Sequence, residues 1–288
     1  MNFYKNLGAH LSISGGPWKI FDLAEELKIN NIQCFTSSNI RWSFKKKIDE
    51  EILEKYLNEK KFFENKYKFV NVFSHACYLI NLASDKKEIK EKSEDALISE
   101  IFRCSDLKIK GVVFHPGSNK DKKEGIRLIT ESIKKIKNET PDDVKIFLEN
   151  SAGAGNSLPG TIEEITELFN SCYEISNRIG IVIDTCHVHA KGYDFSNEKE
   201  QDFFWEKIDK NIGLEKIGFI HLNDSKKPSG SKLDRHENIC DGTIGKSAFE
   251  VLLKNKKLKD IIKIIETPFS GIESYKSELK KIEVMSKF

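Results

Sequence analysis

Residues 180–187 read Gly-Ile-Val-Ile-Asp-Thr-Cys-His, a short apolar run of β type followed by a carboxylate and an imidazole. Runs of this kind recur at intervals of about 20 to 45 residues, and each precedes a longer segment whose apolar residues have helical spacing. The pattern predicts repeated βα units with eight strands. These are Leu7–His10, Asn31–Thr36, Val70–His75, Gly111–His115, Lys145–Glu149, Gly180–Asp184, Ile217–His221 and Ile261–Glu266.

Eight alternating βα units favour one closed barrel over two open sheets. No linker rich in Pro, Gly or Ser divides the chain. We therefore expect the α/β class and a single (β/α)8 TIM barrel that occupies residues 1–288 as one domain. An open doubly wound sheet is the alternative. One predicted crossover helix begins at Thr161-Ile-Glu-Glu164, the pattern of a capping box.

The charge balance and the cysteines limit the class of protein. The chain has 47 Lys and Arg against 45 Asp and Glu, a net charge of +2, so bulk basic charge does not indicate a nucleic-acid binder. No apolar stretch approaches the roughly 20 residues of a membrane span, and Met1–Lys5 lacks an apolar signal core. We expect no membrane association and a cytoplasmic location. Six scattered cysteines without a C-x-x-C pair predict reduced, mostly buried thiols.

Six of the eight predicted strands end in a potential metal ligand or lead directly into one. Taken alone, a histidine after an apolar run is more often a hydrogen-bonded structural residue, and a strand-end carboxylate often caps the next helix. The carboxyl ends of barrel strands, however, meet on one face, where the active sites of barrel enzymes lie. The barrel therefore predicts that nine side chains converge there: His75, His115, Glu149, Asp184, His187, His221, Asp234, His236 and Glu266.

This donor set combines imidazoles with carboxylates and contains no thiolate, which suits Zn, Mn or Fe in an open catalytic site. Five histidines and four carboxylates exceed the needs of one tetrahedral ion. Two or three metal ions are therefore expected, with some carboxylates bridging. Clusters of that kind recur in phosphoester hydrolysis, because paired ions stabilise both the attacking and the leaving oxygen. The residues therefore favour that reaction class.

Eight short motifs follow one another along nearly the whole chain. They are Gly8–Gly16 (Gly-Ala-His-Leu-Ser-Ile-Ser-Gly-Gly), His75–Leu82, Phe114–Gly117, Leu148–Gly155, Ile183–His187, His221–Ser225, Asp234–His236 and Glu266–Pro268. The first motif alone is a weak signal, whereas the ordered set is highly specific. Together they resemble the endonuclease IV family, the zinc-dependent abasic-site endonucleases of base excision repair.

The resemblance implies three zinc ions at the carboxyl-terminal face of the barrel. One ion would be held by His75, His115 and Glu149, and Glu149 would bridge to a second. The remaining ligands would be Asp184, His221 and Glu266 for the second ion, and His187, Asp234 and His236 for the third. Partial replacement by Mn or Fe is left open, and no organic cofactor is implied. Glu149 or Glu266 would orient or deprotonate the attacking water, and the sequence does not choose between them.

The resemblance also implies the reaction and the partner. The family hydrolyses the phosphodiester on the 5′ side of an abasic site in double-stranded DNA, leaving a 3′-hydroxyl and a 5′-deoxyribose phosphate, and it clears blocked 3′ ends. Tyr78 and Leu79 would occupy space beside the flipped-out sugar. Arg41, in the loop after the second strand, would act as a wedge, displaced by one position from the family's arginine. A monomer is implied.

Several lysines follow predicted strand ends and are expected to contact DNA phosphates. The alternative is that they lie on a solvent-exposed surface and contact no DNA. They are Lys226, Lys227 and Lys45–Lys47.

Four further residues have less specific expectations. His10 is expected to hydrogen-bond beneath the metals, and His189 either to support a ligand or to face solvent. Gly242 and Gly245 either let backbone amides approach a phosphate or form a tight turn.

Two other functions are compatible with the residues. A metal-dependent sugar isomerase or epimerase on a related barrel also uses Glu, Asp, His and Glu at strand ends, but it would leave His187, Asp234 and His236 surplus. A protein that binds abasic DNA without cutting it would not need the complete ligand set.

Overall fold

The computed structural model describes residues 4–287, so residues 1–3 and 288 of the predicted domain lie outside it. In chain order the strands are β1 (Leu7–His10), β2 (Asn31–Cys34), β3 (Asn71–His75), β4 (Gly111–Phe114), β5 (Gly117–Ser118), β6 (Lys145–Glu149), β7 (Ser157–Leu158), β8 (Ile179–Asp184), β9 (Ile217–His221), β10 (Asp224–Ser225), β11 (His236–Glu237) and β12 (Lys263–Ile265). The α-helices within the described range are α1 (Lys19–Leu27), α2 (Glu50–Tyr67), α3 (Lys87–Asp106), α4 (Lys122–Glu139), α5 (Ile162–Tyr173), α6 (Thr185–Lys191), α7 (Glu198–Asn211), α8 (Lys246–Lys254) and α9 (Ile272–Met285).

Eight strands close into a parallel barrel in the order β1-β2-β3-β4-β6-β8-β9-β12, which confirms the predicted (β/α)8 TIM barrel. The barrel closes between β12 and β1, where Leu7 pairs with Lys263. Most predicted strand ends agree to within one residue. The second strand, however, ends at Cys34, and the eighth is only Lys263–Ile265. The eighth begins two residues later than predicted and stops one residue earlier, where the Glu266 amide donates to the Asn223 side chain (2.9 Å) instead of extending the ladder.

Apolar side chains fill the interior of the barrel, so that substrate chemistry is confined to its ends. The inner cluster consists of Phe73, Val113, Phe147, Val182, Phe219 and Ile264. The Phe147 ring fits because the positions that face it in β4 and β9 are glycine. A Cβ at Gly218 would lie 2.4 Å from this ring, and one at Gly111 would lie 2.5 Å from it. The larger core lies between the barrel and the surrounding helices.

Several local expectations are also confirmed. Thr161 caps α5 by accepting from the Glu164 amide (3.2 Å), and the Glu164 carboxylate accepts from the Thr161 amide, which completes the capping box. All six cysteines are free thiols, four of them buried. Among the described residues, no helix has both the length and the hydropathy that crossing a membrane would require.

Two small antiparallel sheets, β5–β7 and β10–β11, were not predicted. Each consists of two-residue strands, which are too short to show a period of two in the sequence. Both are formed by loop segments that follow carboxyl ends of barrel strands. In the second sheet Ser225 pairs with His236, so that the segment carrying Asp234 and His236 is bound to the segment that follows β9.

Candidate metal centre

The nine predicted ligands lie together at the carboxyl-terminal end of the barrel, in three overlapping groups. Within each group the donor atoms are all within 4.8 Å of one another. The first group is His75, His115 and Glu149, the second is Glu149, Asp184, His221 and Glu266, and the third is His187, Asp234 and His236. Glu149 belongs to two groups. A fourth combination joins Cys186 to Asp184 and His236, but burial raises the pKa of the Cys186 thiol to about 12 and so keeps it protonated.

Glu149 joins the first two groups from the end of β6. Its Oε2 lies 3.2 Å from His75 Nε2 and 3.6 Å from His115 Nε2. Its Oε1 lies 2.8 Å from His221 Nδ1. The Glu149 side chain is only 1% exposed, so that its charge is shielded from solvent and faces these imidazoles. Such a carboxylate is placed to bridge two cations.

The second group adds ligands at the ends of β8 and β9 and directly after β12, and the third group lies on α6 and on the segment that leads into β11. His221 Nδ1 faces two further carboxylates, at 3.3 Å from Glu266 Oε2 and 3.9 Å from Asp184 Oδ2. In the third group the two oxygens of Asp234 lie 3.1 Å from His187 Nε2 and 3.2 Å from His236 Nε2.

Backbone carbonyls fix which nitrogen of three histidines carries the proton. His75 Nδ1–H donates to the Ala76 carbonyl (2.7 Å), His187 Nδ1–H to Asn150 (3.0 Å), and His236 Nδ1–H to Glu266 (3.2 Å). In the neutral rings Nε2 is therefore unprotonated, and in each case it faces a carboxylate.

Two of these nitrogens provide a test of whether the residues fit a cation. Nε2 of His187 and Nε2 of His236 are buried and have no hydrogen-bond partner among the described residues, although both lie close to Asp234. An unprotonated nitrogen and a carboxylate repel each other unless a proton or a metal ion lies between them. Histidines that donate one N–H to a carbonyl and turn the other nitrogen to carboxylates are typical of metal ligands. The donor set therefore fits divalent metal ions.

Without a metal ion, two imidazoles of the site, those of His221 and His236, hold protons. Burial opposes the charged form of His221, but Glu266 and Glu149 raise its pKa to about 9. Burial likewise opposes the charge on His236, and Asp184 and Asp234 raise its pKa to about 9. Burial acts to raise the pKa of Glu149, yet the neighbouring imidazoles hold that pKa well below its ordinary value. A metal ion must displace the imidazole protons to bind.

Three amide side chains that orient the ligands were missed by the sequence analysis. Gln33, in β2, accepts from His221 Nε2–H (2.8 Å) and donates to Glu266 Oε1. Asn223 donates to Asp184 Oδ2 (2.7 Å), and Asn150 accepts from the Asp184 amide (2.7 Å). The only available signal for Gln33 was a polar residue inside a buried strand, Asn-Ile-Gln-Cys.

The less specific predictions have mixed outcomes. His10 hydrogen-bonds to Glu266 Oε1 (3.2 Å), as predicted. His189 is buried and bonds to Thr243 Oγ1 (3.1 Å), so the solvent-facing alternative is wrong. The amides of Gly242 and Gly245 donate to the buried Asp224 carboxylate at 3.0 and 3.3 Å. A phosphate-binding role for them is wrong, because Asp224 occupies those donors.

The predicted DNA contacts lie on loops at the same end of the barrel. Tyr78 and Leu79 are 54% and 38% exposed, and they border a cavity of about 470 Å³ that His115, His187 and Asp234 also line. Arg41 is exposed on the neighbouring loop. Lys226 and Lys227 are exposed on the connection from β10 to β11.

Comparisons with known proteins agree with this architecture. A protein-family profile described as "Xylose isomerase-like TIM barrel" matches residues 21–285. A protein of Thermoplasma volcanium described as "Probable endonuclease 4" is 37% identical over 96% of this chain and 93% of its own length. The chain belongs to the endonuclease 4 family. The family resemblance predicted from the motifs is thus confirmed.

Two further relatives show the breadth of this family. An "Apurinic-apyrimidinic endonuclease" of Caenorhabditis elegans is 35% identical over 92% of this chain and 66% of its own length. The crystal structure of endonuclease IV from Thermus thermophilus has a TM-score of 0.83 and 27% identity, and the match covers 97% of this chain and 98% of that one. All nine residues of the candidate metal centre lie within the range that the family profile matches.

Proposed function

We propose that this family member is a metal-dependent endonuclease that cuts double-stranded DNA at abasic sites and removes blocked 3′ ends. The observation that carries the proposal is the set of three overlapping groups of histidines and carboxylates on the loop-bearing face of the barrel. The printed names of the relatives, "Probable endonuclease 4" and "Apurinic-apyrimidinic endonuclease", support the substrate class.

The proposed ligands are the nine residues of the three groups, each group holding one Zn²⁺. Mn or Fe in one position is an alternative for metal analysis to resolve. When bound, such ions supply Lewis-acid activation of the phosphodiester and of water. The carbonyl-bound histidines keep their free nitrogens directed at the ions, and buried Glu149 is placed to be shared between two of them.

The residues then have distinct roles in hydrolysis. Glu149 or Glu266 orients the water and accepts its proton as the water oxygen bonds to phosphorus. The bond between phosphorus and the O3′ of the preceding nucleotide breaks, and that oxygen leaves as the 3′-hydroxyl after gaining a proton. The abasic sugar keeps the phosphate on its 5′ oxygen. Tyr78 and Leu79 occupy the space beside the extrahelical sugar, and Arg41, Lys226 and Lys227 contact the duplex. We expect the monomer to be the active form.

A sugar isomerase is the second candidate, because the matching family profile is described as xylose isomerase-like. The second group alone, Glu149, Asp184, His221 and Glu266, is a ligand set of that type. The third group, His187, Asp234 and His236, has no role in such an enzyme, because one or two ions suffice there. Ketose substrates left unchanged by the zinc-loaded protein would argue against the isomerase.

The test is incision of a duplex that contains a tetrahydrofuran abasic analogue, with metal analysis of the same sample. We expect a single cut on the 5′ side that leaves a 3′-hydroxyl. Glu149→Ala should lower the rate by roughly 10³-fold or more. Glu94→Ala is the matched control, since Glu94 is a buried carboxylate that bonds Ser132 and Lys135 on the outer helices. Binding without cleavage by metal-replete protein would refute the proposal.

A further inference from the structure

A buried ion pair on α3 lies outside the metal centre and is bonded to the loop after β2. We call residues 35–49 the β2 loop. Arg103 and Glu100 are 3% and 2% exposed, and Arg103 Nη2 donates to the Glu100 carboxylate. Burying two charges costs free energy unless their remaining donors and acceptors are satisfied. The other hydrogen-bond partners of Arg103 and Glu100 therefore indicate which segment the pair stabilises.

The Arg103 guanidinium donates four further hydrogen bonds, all to the β2 loop. Nε donates to Thr36 Oγ1 at 2.8 Å, and Nη2 donates to Ser37 Oγ at 3.3 Å. Nη1 donates to the Lys45 carbonyl and, at 3.5 Å, to Ser43 Oγ. One planar side chain thus holds both the start and the end of the loop, which a lysine could not do because its ammonium is a single point.

Glu100 connects the same loop to a barrel strand. One of its oxygens accepts from Thr36 Oγ1 (2.7 Å) and from Ser74 Oγ. Ser74 is in β3, directly before His75 of the first metal group. The loop is therefore anchored to the rigid part of the barrel.

Besides the packing of Trp42 and Ile48 against the core, the β2 loop has few backbone hydrogen bonds to hold it. Within the described chain, residues 36–47 make one backbone–backbone hydrogen bond, from the Tyr78 amide to the Asn39 carbonyl (2.9 Å). Ile40, at the tip, is 68% exposed, and Arg41 beside it is also exposed. A segment with so few backbone bonds opens easily unless side chains hold it.

We propose that Glu100 and Arg103 are positioning residues for damaged DNA: they hold the β2 loop so that Ile40 and Arg41 form one preformed surface with Tyr78. This inference rests on the proposed function. A loop that is ordered before binding does not lose its conformational freedom when DNA arrives, so the complex is tighter. The pair therefore acts on affinity for DNA and leaves the chemical step unchanged.

The test is Arg103→Lys, which keeps the charge beside Glu100 and removes the planar fork. We expect KM for the tetrahydrofuran duplex to rise about tenfold, while kcat stays within about twofold and the metal content is unchanged. Amide hydrogen exchange in residues 36–47 should become faster. Thr36→Val removes the hydroxyl that bonds both members of the pair but leaves the buried charges in place. It should also raise KM, by a smaller factor than Arg103→Lys.

The control is Arg178→Lys. Arg178 is equally buried, but it bonds Thr140 Oγ1 (3.1 Å) and the Pro141 carbonyl at the amino-terminal end of the barrel. It should lower stability without changing KM. An unchanged KM in Arg103→Lys, a fall confined to kcat, or an equal rise of KM in Arg178→Lys would overturn the positioning role while wild-type incision stands. Absence of incision by the wild-type protein would instead overturn the proposed function together with this inference.

Discussion

Gln33 joins two proposed metal ligands through the two ends of one amide. Its oxygen accepts from His221 Nε2–H, so that in the neutral ring the unprotonated nitrogen is Nδ1, which faces Glu149 and Glu266. Its nitrogen donates to Glu266 and thereby holds that carboxylate beside the imidazole. An amide supplies the acceptor and the donor on two separate atoms, and it adds no charge at this position.

We predict that Gln33→Leu weakens metal binding by roughly 10- to 100-fold, because the buried His221 N–H loses its acceptor and Glu266 loses its donor. Competition with a chelating dye measures the affinity. Gln201→Leu is the matched control: Gln201 is also buried and bonds the carbonyls of Phe195 and Ala248, outside the metal groups. Equal affinities in the two variants would contradict an orienting role for Gln33.

Metal affinity should depend on pH. The carboxylates raise the pKa of His221 and of His236 to about 9 despite their burial. Below that pH the metal-free site binds protons that an ion has to displace, so affinity should increase as pH rises toward about 9 and decrease as pH falls. Chelator competition between about pH 6 and 9.5, with calorimetry in two buffers to count released protons, measures this. Affinity that does not vary across this range would show that metal binding displaces no proton from His221 or His236.

At the level of residues, the sequence revealed chemical type but not orientation. Glu149 and Asp184 were identifiable because each ends an apolar strand. Gln33 was not, since a polar residue in the short strand Asn-Ile-Gln-Cys shows neither its partner nor its role. Its partner His221 lies 188 positions away, so no local pattern connects the two.

At the level of elements, the β10–β11 hairpin positions the third metal group. The Asp224 carboxylate accepts from the Gly242, Ile244 and Gly245 amides at 3.0, 3.0 and 3.3 Å. The chain after β11 is thereby folded back onto β10, and a Cβ at Gly242 would lie only 2.4 Å from the Ser225 carbonyl oxygen. One buried carboxylate, that of Asp224, therefore connects β10 to the segment that follows β11.

We expect Asp224→Ala to lower the free energy of unfolding by about 2–4 kcal/mol, because one buried amide and two partly buried amides lose a charged acceptor. It should also reduce the metal content by the ion of the third group. Denaturant titration and metal analysis measure these effects. Asp121→Ala is the control: Asp121 caps α4 through two amides, and its loss should cost about 1 kcal/mol with full metal content. Retention of all metal in Asp224→Ala would disprove the link to the third group.

At the level of the whole molecule, the net charge of +2 hides an uneven distribution. Four carboxylates are concentrated at the carboxyl-terminal end of the barrel, and in the metal-free site protons on His221 and His236 offset part of their negative charge. Three divalent ions, as proposed, would carry more positive charge than those carboxylates carry negative charge, so the loaded face would attract DNA. The field that DNA meets therefore depends on metal and on the lysines around it.

Replacing Lys226 and Lys227 together by Gln should reduce the slope of log affinity for DNA against log salt concentration by about 2, because each phosphate contact contributes roughly 0.9. Fluorescence anisotropy at several salt concentrations measures the slope. Lys256 and Lys259, replaced in the same way, are the control, since both are exposed on the segment that leads into the amino-terminal end of β12. An unchanged slope would show that Lys226 and Lys227 do not contact DNA phosphates.

The sequence by itself determined the barrel and the place of the candidate metal centre. Apolar runs of strand length alternate with helical segments, and parallel strands bring their carboxyl ends to one face, so residues such as Glu149 and His221 had to meet. The tertiary structure alone decided how they meet. Gln33, Asp224 and Arg103 act on segments far from them in the chain, and hydrogen bonds between distant segments depend on packing distances and angles, which leave no periodic trace in a sequence.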